Sequence, residues 1–494
     1  MSATLAALLP QQSLPPMVAS CVVNNLQLDS RLVQPGDGFI AVSGASVDGR
    51  KYIDAAIHAG AVAVLSEAKH ASVSELGGVP IIGIPDLPHR VGEVASLFYG
   101  EPAKAMQFVA VTGTNGKSST TWFLRDALVA LGRPCGLVGT LGMTFADETL
   151  ETGLTTPDAI TLQKGLAQFR QAGAEIVAIE ASSHALEQGR LSGVPISIAV
   201  FTNLSRDHLD YHGDMDVYFA AKAKLFSRDE VKLAVINRAD ERGRSLAETL
   251  AKKMSVITFG DEQSDVRCTA WQGNDKGMAF TLHTPSGDVR CQVPLYGRFN
   301  LENLMAVAAV LHGMGISAGD MAAALQQVTT VPGRMQALRV EASQTNTPCV
   351  LVDFAHTPDG LEKALTAARD HFSTRLWCVV GCGGNRDVGK RPQMAAVAER
   401  LADKLVFTSD NPRFEQPQSI LADMLQGVTA RDDVQVLADR QEAIAYAISH
   451  AAANDVIVIA GKGHERWQEV QGEKLPMDDA QLALDALRLR GGVQ

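Results

Sequence analysis

Phe108-Val-Ala-Val-Thr-Gly-Thr-Asn-Gly-Lys-Ser-Ser-Thr120 is an apolar run that stops at a glycine-lysine-hydroxyl turn. Val109, Ala110 and Val111 predict a buried strand. Residues from Lys117 to about Leu131 predict a helix with Trp122, Phe123, Leu124, Ala127, Leu128 and Leu131 on its apolar side. Gly113 and Gly116 allow a tight turn between the two. The helix start then offers unpaired N–H groups and a partial positive charge to an anion. Lys117 adds a full charge for β- and γ-phosphate oxygens, and the Ser118 hydroxyl is placed to ligate Mg²⁺. Strand, turn and helix in this order predict an ATP site built from Gly113, Thr114, Asn115, Gly116, Lys117, Ser118 and Ser119. Val111 stands where the general phosphate-loop pattern has its first glycine, so the loop is a shortened form.

Working outward, strand and helix alternate in three blocks. Residues 1 to about 103 carry short apolar strands such as 38–42 and 61–65, and residues 104–334 carry the loop and strands at 176–180, 198–201 and 233–236. A helix is expected over 300–314. Residues 335–494 hold strands at 350–353, 376–380, 404–407 and 455–460. Such alternation predicts an α/β protein with parallel sheets covered by helices, whose ligands sit beyond the carboxyl ends of strands.

Composition bounds the rest. The 494 residues are 46% hydrophobic and 20% charged, ordinary for a globular protein of about three domains. No apolar stretch is long enough to span a bilayer, and the N-terminus lacks the basic start of a secretory signal. Seven cysteines without a CxxC pair predict reduced, mostly buried thiols and a cytoplasmic location. A net charge of −11 argues against non-specific nucleic-acid binding.

Glu180 ends a strand and suits Mg²⁺, which takes one or two carboxylates along with phosphates and water. The next strand runs into Phe201-Thr-Asn-Leu-Ser-Arg-Asp-His-Leu-Asp-Tyr-His-Gly213, where two histidines and several acceptors suggest a second cation site with His208 as ligand. The run from Tyr218 to Phe226 predicts a helix that puts Lys222 one turn after Tyr218. Taken alone, Lys222 reads as a surface lysine.

The motifs LDSR (28–31), GTNGKSS (113–119), TTP (155–157), EASSH (180–184), FTNLSRDHLDYHG (201–213), GRFNLEN (297–303), PGR (332–334), DFAHTPDGLEKAL (353–365), GCGGNRDVGKRP (381–392), SDNPR (409–413) and GKGHE (461–465) occur in order along nearly the whole chain. Together they resemble the Mur ligase family, in its diaminopimelate-adding branch. The resemblance implies three domains: a UDP-sugar-binding domain at 1–103, an ATP-binding domain at 104–334 and a Rossmann-like amino-acid-binding domain at 335–494. It implies an ATP-dependent amide ligase of peptidoglycan precursor synthesis, working through an acyl phosphate as a cytoplasmic monomer. Catalysis would fall to Lys117, Glu180, His208 and Lys222, with Mg²⁺ held by Ser118, Glu180, His208 and Lys222. In that family the lysine matching Lys222 is carbamylated by CO₂, which needs a neutral amine and hence a depressed pKa in a partly buried place.

The same resemblance puts Leu28, Ser30, Ala45, Ser46 and Val47 at the uridine diphosphate end, and Thr155, Thr156, Ser182, Gln188 and Arg190 on the sugar-peptide. Asn300 and Arg334 would contact the nucleotide. Arg386, Asp410, Asn411, Pro412, Arg413, Gly461 and Glu465 would form the diaminopimelate pocket, with a hinge near Arg334–Met335. His356 stays open between placing the amine and a structural role. The pocket inventory also makes chemical sense by itself. Arg386 and Arg413 offer planar forks for two carboxylates and Glu465 offers a partner for an ammonium, whereas lysine has one carboxylate only. The alternatives are the lysine-adding counterpart, a folylpolyglutamate synthetase, and a catalytically silent binder of muropeptide nucleotides. The chain departs from the family habit at Ser118, Asn385, Phe354 and the 45–47 turn.

Overall fold

The computed structural model describes residues 1–44, 47–338, 347–430 and 434–491. They form two compact units, Met1–Arg267 with His283–Gly287 and Asn303–Ala324, and Cys268–Leu282 with Asp288–Glu302 and Leu325–Gln494. The fold is the α/β arrangement expected, with parallel sheets as the main layers.

The first unit holds two large sheets. The N-terminal one has five strands in the order 26–27, 38–41, 63–67, 79–84, 72–76, parallel except for the last pair. The other has eight, in the order 148–150, 142–145, 135–139, 176–180, 107–112, 196–201, 233–237, 255–259. Its strands from 135–139 to 255–259 are parallel, and an antiparallel hairpin closes one edge. Strands buried on both faces read as unbroken apolar runs, which is why the segments 107–112, 176–180 and 196–201 were legible. Each sheet has apolar clusters of its own, and one further cluster joins the two. Val91, Ala95 and Phe98 of helix Leu87–Phe98 pack with Ala159, Ile160 and Ala167 of helix Ala159–Gln171.

The expected helix after the loop spans Lys117–Ala130. Thr120 and Thr121 are buried on it alongside Phe123, Leu124, Ala127 and Leu128, while Trp122 lies on the flank under the Arg125 guanidinium. The buried Thr121 hydroxyl is satisfied by donating to the carbonyls of Lys117 and Ser118 at 3.0 and 3.1 Å, so it costs little there. The helix expected over 218–226 is instead Met215–Ala223 followed by a tighter turn, Lys224–Ser227. It is capped by Asp214, whose side chain accepts from the amides of Asp216 and Val217.

The second unit is built on a six-stranded sheet in the order 336–338, 349–353, 456–460, 376–382, 404–409, 434–436, parallel except at its first pair. Apolar clusters cover both faces. Two features were not foreseen, a three-stranded sheet over 267–293 and a hairpin of Trp467–Val470 with Glu473–Pro476. The sheet's strands mix covered and more exposed residues, and neither hairpin strand has a buried residue, a weak signal beside the apolar runs.

Candidate functional site

In the eight-stranded sheet, strand 107–112 lies between 176–180 and 196–201, so chain direction across the sheet reverses there. Crevices open at such a point, and three strand ends deliver Gly113–Ser118, Glu180–Ser182 and Thr202–Asn203 to it. The loop is fastened from the neighbouring strand. Thr114 N donates to Asn203 O at 2.8 Å, Asn115 N to Asn203 Oδ1 at 2.9 Å, and the Thr202 hydroxyl to Asn115 O at 2.6 Å. Gly113 sits at φ 146°, and a Cβ there would fall 1.9 Å from Thr202 Oγ1, so only glycine lets the strand approach this closely. Ser119 is buried in the first turn of the helix.

Lys117 Nζ donates to the carbonyls of Gly113 and Thr114 at 3.0 and 2.8 Å. Lys222 Nζ donates to the same Gly113 carbonyl at 2.7 Å and lies 4.3 Å from the centre of the Tyr218 ring. Lys222 is 1% exposed, so the surface reading of this lysine is replaced by a buried one. Burial, joined by repulsion from Lys117, brings its pKa down to about 6.

Glu180, 2% exposed, accepts from Ser118 Oγ at 3.0 Å and from Thr140 N at 2.9 Å. A hydroxyl and one carboxylate side by side at a phosphate loop form a donor set suited to Mg²⁺. His208 joins a different neighbourhood. Its ring lies 5.0 Å from that of His184 and 6.1 Å from that of Tyr218, so His208 and Lys222 flank the same tyrosine. The four residues expected on metal thus fall into two neighbourhoods, Ser118 with Glu180 and His208 with Lys222.

The expected sugar-peptide residues also gather in this unit. Thr156 Oγ1 donates to Glu180 O at 2.6 Å and Ser182 N donates to Thr156 Oγ1 at 3.2 Å, while Thr155 Oγ1 lies 3.2 Å from Thr140 Oγ1. Arg190 donates to Thr156 O at 2.8 Å and twice to Gln188 Oε1, at 3.0 and 2.7 Å. Leu28 packs on the N-terminal core and Ser30 opens a short turn capped by Asp29. Val47 is exposed, and Ala45 and Ser46 lie outside the described residues.

The second unit brings the remaining residues to the ends of 404–409 and 456–460. Asp410 and Asn411 are buried, and Asp410 Oδ2 has no hydrogen-bond partner among the described residues. Gly461, at φ 120°, would place a Cβ 2.4 Å from that oxygen, which explains the glycine. Asn411 Nδ2 donates to Glu465 Oε2 at 3.0 Å, and the fully buried Lys462 Nζ donates to Asn411 Oδ1 and Glu465 Oε2, each at 3.1 Å. Pro412 is buried, with its carbonyl against Gly384, and Arg386 is exposed. Asn385 has φ 51°, a conformation asparagine tolerates, and its Oδ1 accepts from Phe414 N at 3.0 Å, as an aspartate oxygen would. Asn300 donates to Tyr296 O at 2.8 Å, Arg334 lies over the Phe354 ring, and the amide of buried Met335 donates to Asp353. His356 is exposed, with Nδ1 2.9 Å from Phe354 O.

Arg440 and Asp479 were not legible in the sequence. Both side chains are fully buried and share two hydrogen bonds of 2.8 and 2.6 Å. The guanidinium also donates to Ser409 O and Ala460 O, each at 3.0 Å, and so ties together the strand ends that launch Asp410 and Gly461. Asp479→Ala takes from this buried cation its hydrogen-bonded carboxylate and is expected to destabilise the unit by about 3–5 kcal/mol, read from denaturant unfolding. A change under about 1 kcal/mol would show that water reaches the guanidinium.

The model of the Mur ligase middle domain matches residues 111–311, that of the Mur ligase glutamate ligase domain 333–463, and that of the Mur ligase family catalytic domain 22–99. The chain is 46% identical over 478 residues to the UDP-N-acetylmuramoyl-L-alanyl-D-glutamate–2,6-diaminopimelate ligase of Pseudomonas aeruginosa, covering 96% of this chain and 97% of that protein. It is 45% identical over 477 residues to the protein of the same name from Coxiella burnetii, covering 95% and 97%. A solved structure of a UDP-N-acetylmuramoyl-L-alanyl-D-glutamate–2,6-diaminopimelate ligase matches at 35% identity and a TM-score of 0.75, covering 99% of each chain.

Proposed function

The chain belongs to the Mur ligase family, and on that premise we propose that it is an ATP-dependent ligase joining 2,6-diaminopimelate, as the meso form, to UDP-N-acetylmuramoyl-L-alanyl-D-glutamate in peptidoglycan precursor synthesis. The observation that carries this reading is the set of three strand ends at the sheet reversal, where a phosphate-loop lysine, a hydroxyl–carboxylate pair and a second buried lysine meet.

ATP lies along the loop, with its phosphates on the helix N-terminus and Lys117. Asn300 and Arg334 contact the nucleotide. An oxygen of the D-glutamyl γ-carboxylate bonds to the γ-phosphorus while the bond to the β-phosphate oxygen breaks, giving ADP and an acyl phosphate. Lys117 and the loop amides spread the charge that develops, which is positioning and electrostatics rather than covalent catalysis. Ser118 and Glu180 would hold one Mg²⁺, and His208 with Lys222, once carbamylated, would hold a second. When bound, the ions neutralise phosphate charge. Thr155, Thr156, Ser182 and Arg190 orient the sugar-peptide, with Arg190 held in place by Gln188. Leu28, Ser30 and the 45–47 turn take the uridine diphosphate end.

The amine then bonds to the acyl carbon, phosphate leaves with its electron pair, and the amine gives up a proton. Arg413 and Arg386 meet the carboxylates, and the unpartnered Asp410 oxygen together with Glu465 faces an ammonium. The domains run 1–103, 104–334 and 335–494, and the enzyme works as a cytoplasmic monomer.

The test is phosphate release with Mg-ATP and UDP-N-acetylmuramoyl-L-alanyl-D-glutamate, comparing meso-diaminopimelate, L-lysine and no amino acid. Turnover is expected with diaminopimelate only, with a product heavier by that residue. Turnover with lysine would keep the chemistry and reject the amino-acid assignment, and no turnover with any would leave a nucleotide-binding protein.

A further inference from the structure

We propose that Glu469 is a positioning residue for amino-acid selection, acting through Arg413; this rests on the ligase reading above. Arg413 has φ 53°, a left-handed conformation that costs a non-glycine residue energy and persists only where the surroundings hold it. The hairpin of 467–470 and 473–476 supplies that hold. Arg413 N donates to Glu469 O at 2.9 Å, and Gln471 N donates to Arg413 O at 2.7 Å, so the arginine is bridged to Val470 like a residue of a parallel strand.

The side chain is fixed from the same place. Arg413 Nε donates to Glu469 Oε2 at 3.0 Å, and Nη1 donates to Gly384 O at 2.9 Å. A guanidinium has five N–H bonds. With one on Nε and one on Nη1 engaged, the three that remain sit on Nη1 and Nη2, at the far end of the guanidinium, where a substrate carboxylate can accept from them. The ion pair is neither fully buried nor free, with side-chain exposures of 19% for Arg413 and 25% for Glu469. Pairs of this kind add little to stability. Orientation is therefore what Glu469 contributes. It removes rotamers from a long side chain before the substrate arrives, and the substrate no longer has to.

A competing reading makes the opposite prediction. If Glu469 acted mainly by its charge, it would weaken the pull of Arg413 on an anion, and its removal would improve binding. The positioning reading predicts that Glu469→Ala raises KM for meso-diaminopimelate by roughly 10-fold, with kcat and the KM values for ATP and UDP-N-acetylmuramoyl-L-alanyl-D-glutamate within about twofold. Glu469→Gln keeps an oxygen acceptor for Nε–H and is expected to bring that KM back to within about threefold of the unsubstituted enzyme. In an Arg413→Ala background, Glu469→Ala should add less than about twofold, because the group it positions is gone.

An unchanged or lower KM in Glu469→Ala overturns the proposal, and so do a Gln variant as weak as the Ala variant, additive effects in the double variant, and a common loss in all kinetic constants. The phosphate-release assay on the unsubstituted enzyme separates the two levels. If diaminopimelate turns over and the Glu469 variants behave like it, only the positioning role falls. If diaminopimelate does not turn over, the ligase reading falls and takes this one with it.

Discussion

Lys222→Ala is expected to lower turnover by about a thousandfold, with bicarbonate giving no recovery and short carboxylic acids restoring part of the rate. The reason is a charge that changes sign. Lys222 shares the Gly113 carbonyl with Lys117, and two ammonium groups so placed repel. Burial and this repulsion hold the Lys222 pKa down to about 6, so at neutral pH its Nζ is a free amine. A free amine bonds to the carbon of CO₂ and loses a proton, leaving an anionic carbamate. Once Lys222 is carbamylated, the repulsion by Lys117 would become attraction, and a carboxylate-like ligand would stand on the tyrosine that His208 also flanks. Below about pH 6 the amine protonates and carbamylation stops, so CO₂-dependent activity should fall as pH drops through that value. The linkage has the matching sign. An unfolded lysine titrates near about 10.4, so between about pH 6 and 10 the unfolded chain binds the extra proton and stability rises with pH. Full activity in Lys222→Ala, or no rescue by small acids, would end this account.

The second large effect belongs to Arg413. Arg413→Ala should lower kcat/KM for meso-diaminopimelate by about 100- to 1000-fold, because a substrate carboxylate loses a bidentate partner and is left desolvated. Any residual turnover with L-lysine should change by less than about threefold, since lysine has no second carboxylate to lose. Phosphate release with each amino acid reads both numbers. An equal loss for the two would mean that Arg413 serves the hairpin and not the substrate, a real alternative given its two backbone bonds to residues 469 and 471.

The two experiments address different units of the chain, and they fail separately. Loss of the Lys222 effect would leave the amino-acid pocket as argued. Equal losses in Arg413→Ala would leave the phosphate chemistry untouched and would also remove the ground for the Glu469 proposal.

Much of this was written along the chain because local chemistry wrote it. The phosphate loop is a contiguous strand, turn and helix, and apolar runs such as 108–111 and 176–179, short and bounded by polar residues, read as strands buried on both faces. Glu180 ends its strand and Asp410 and Gly461 follow theirs, the place where parallel sheets expose ligand-binding groups. The resemblance to the Mur ligases added roles to these positions. The buried state of Lys222 was not available in this way. A lysine on a helix ordinarily keeps its ammonium in water, and only packing against Tyr218 and Gly113 shows that the amine has left it.

The α/β class, the phosphate loop and the strand ends that carry polar residues can be read along the chain, since each depends on neighbouring residues. Tertiary structure alone decided which of them meet. Thr202 fastens the loop from 87 positions away, Arg440 joins two strand ends while paired with Asp479, 39 positions on, and Glu469 aims Arg413 across 56. Propensity and periodicity act over a few residues, whereas a buried hydrogen bond or ion pair is chosen by whatever the fold packs beside it.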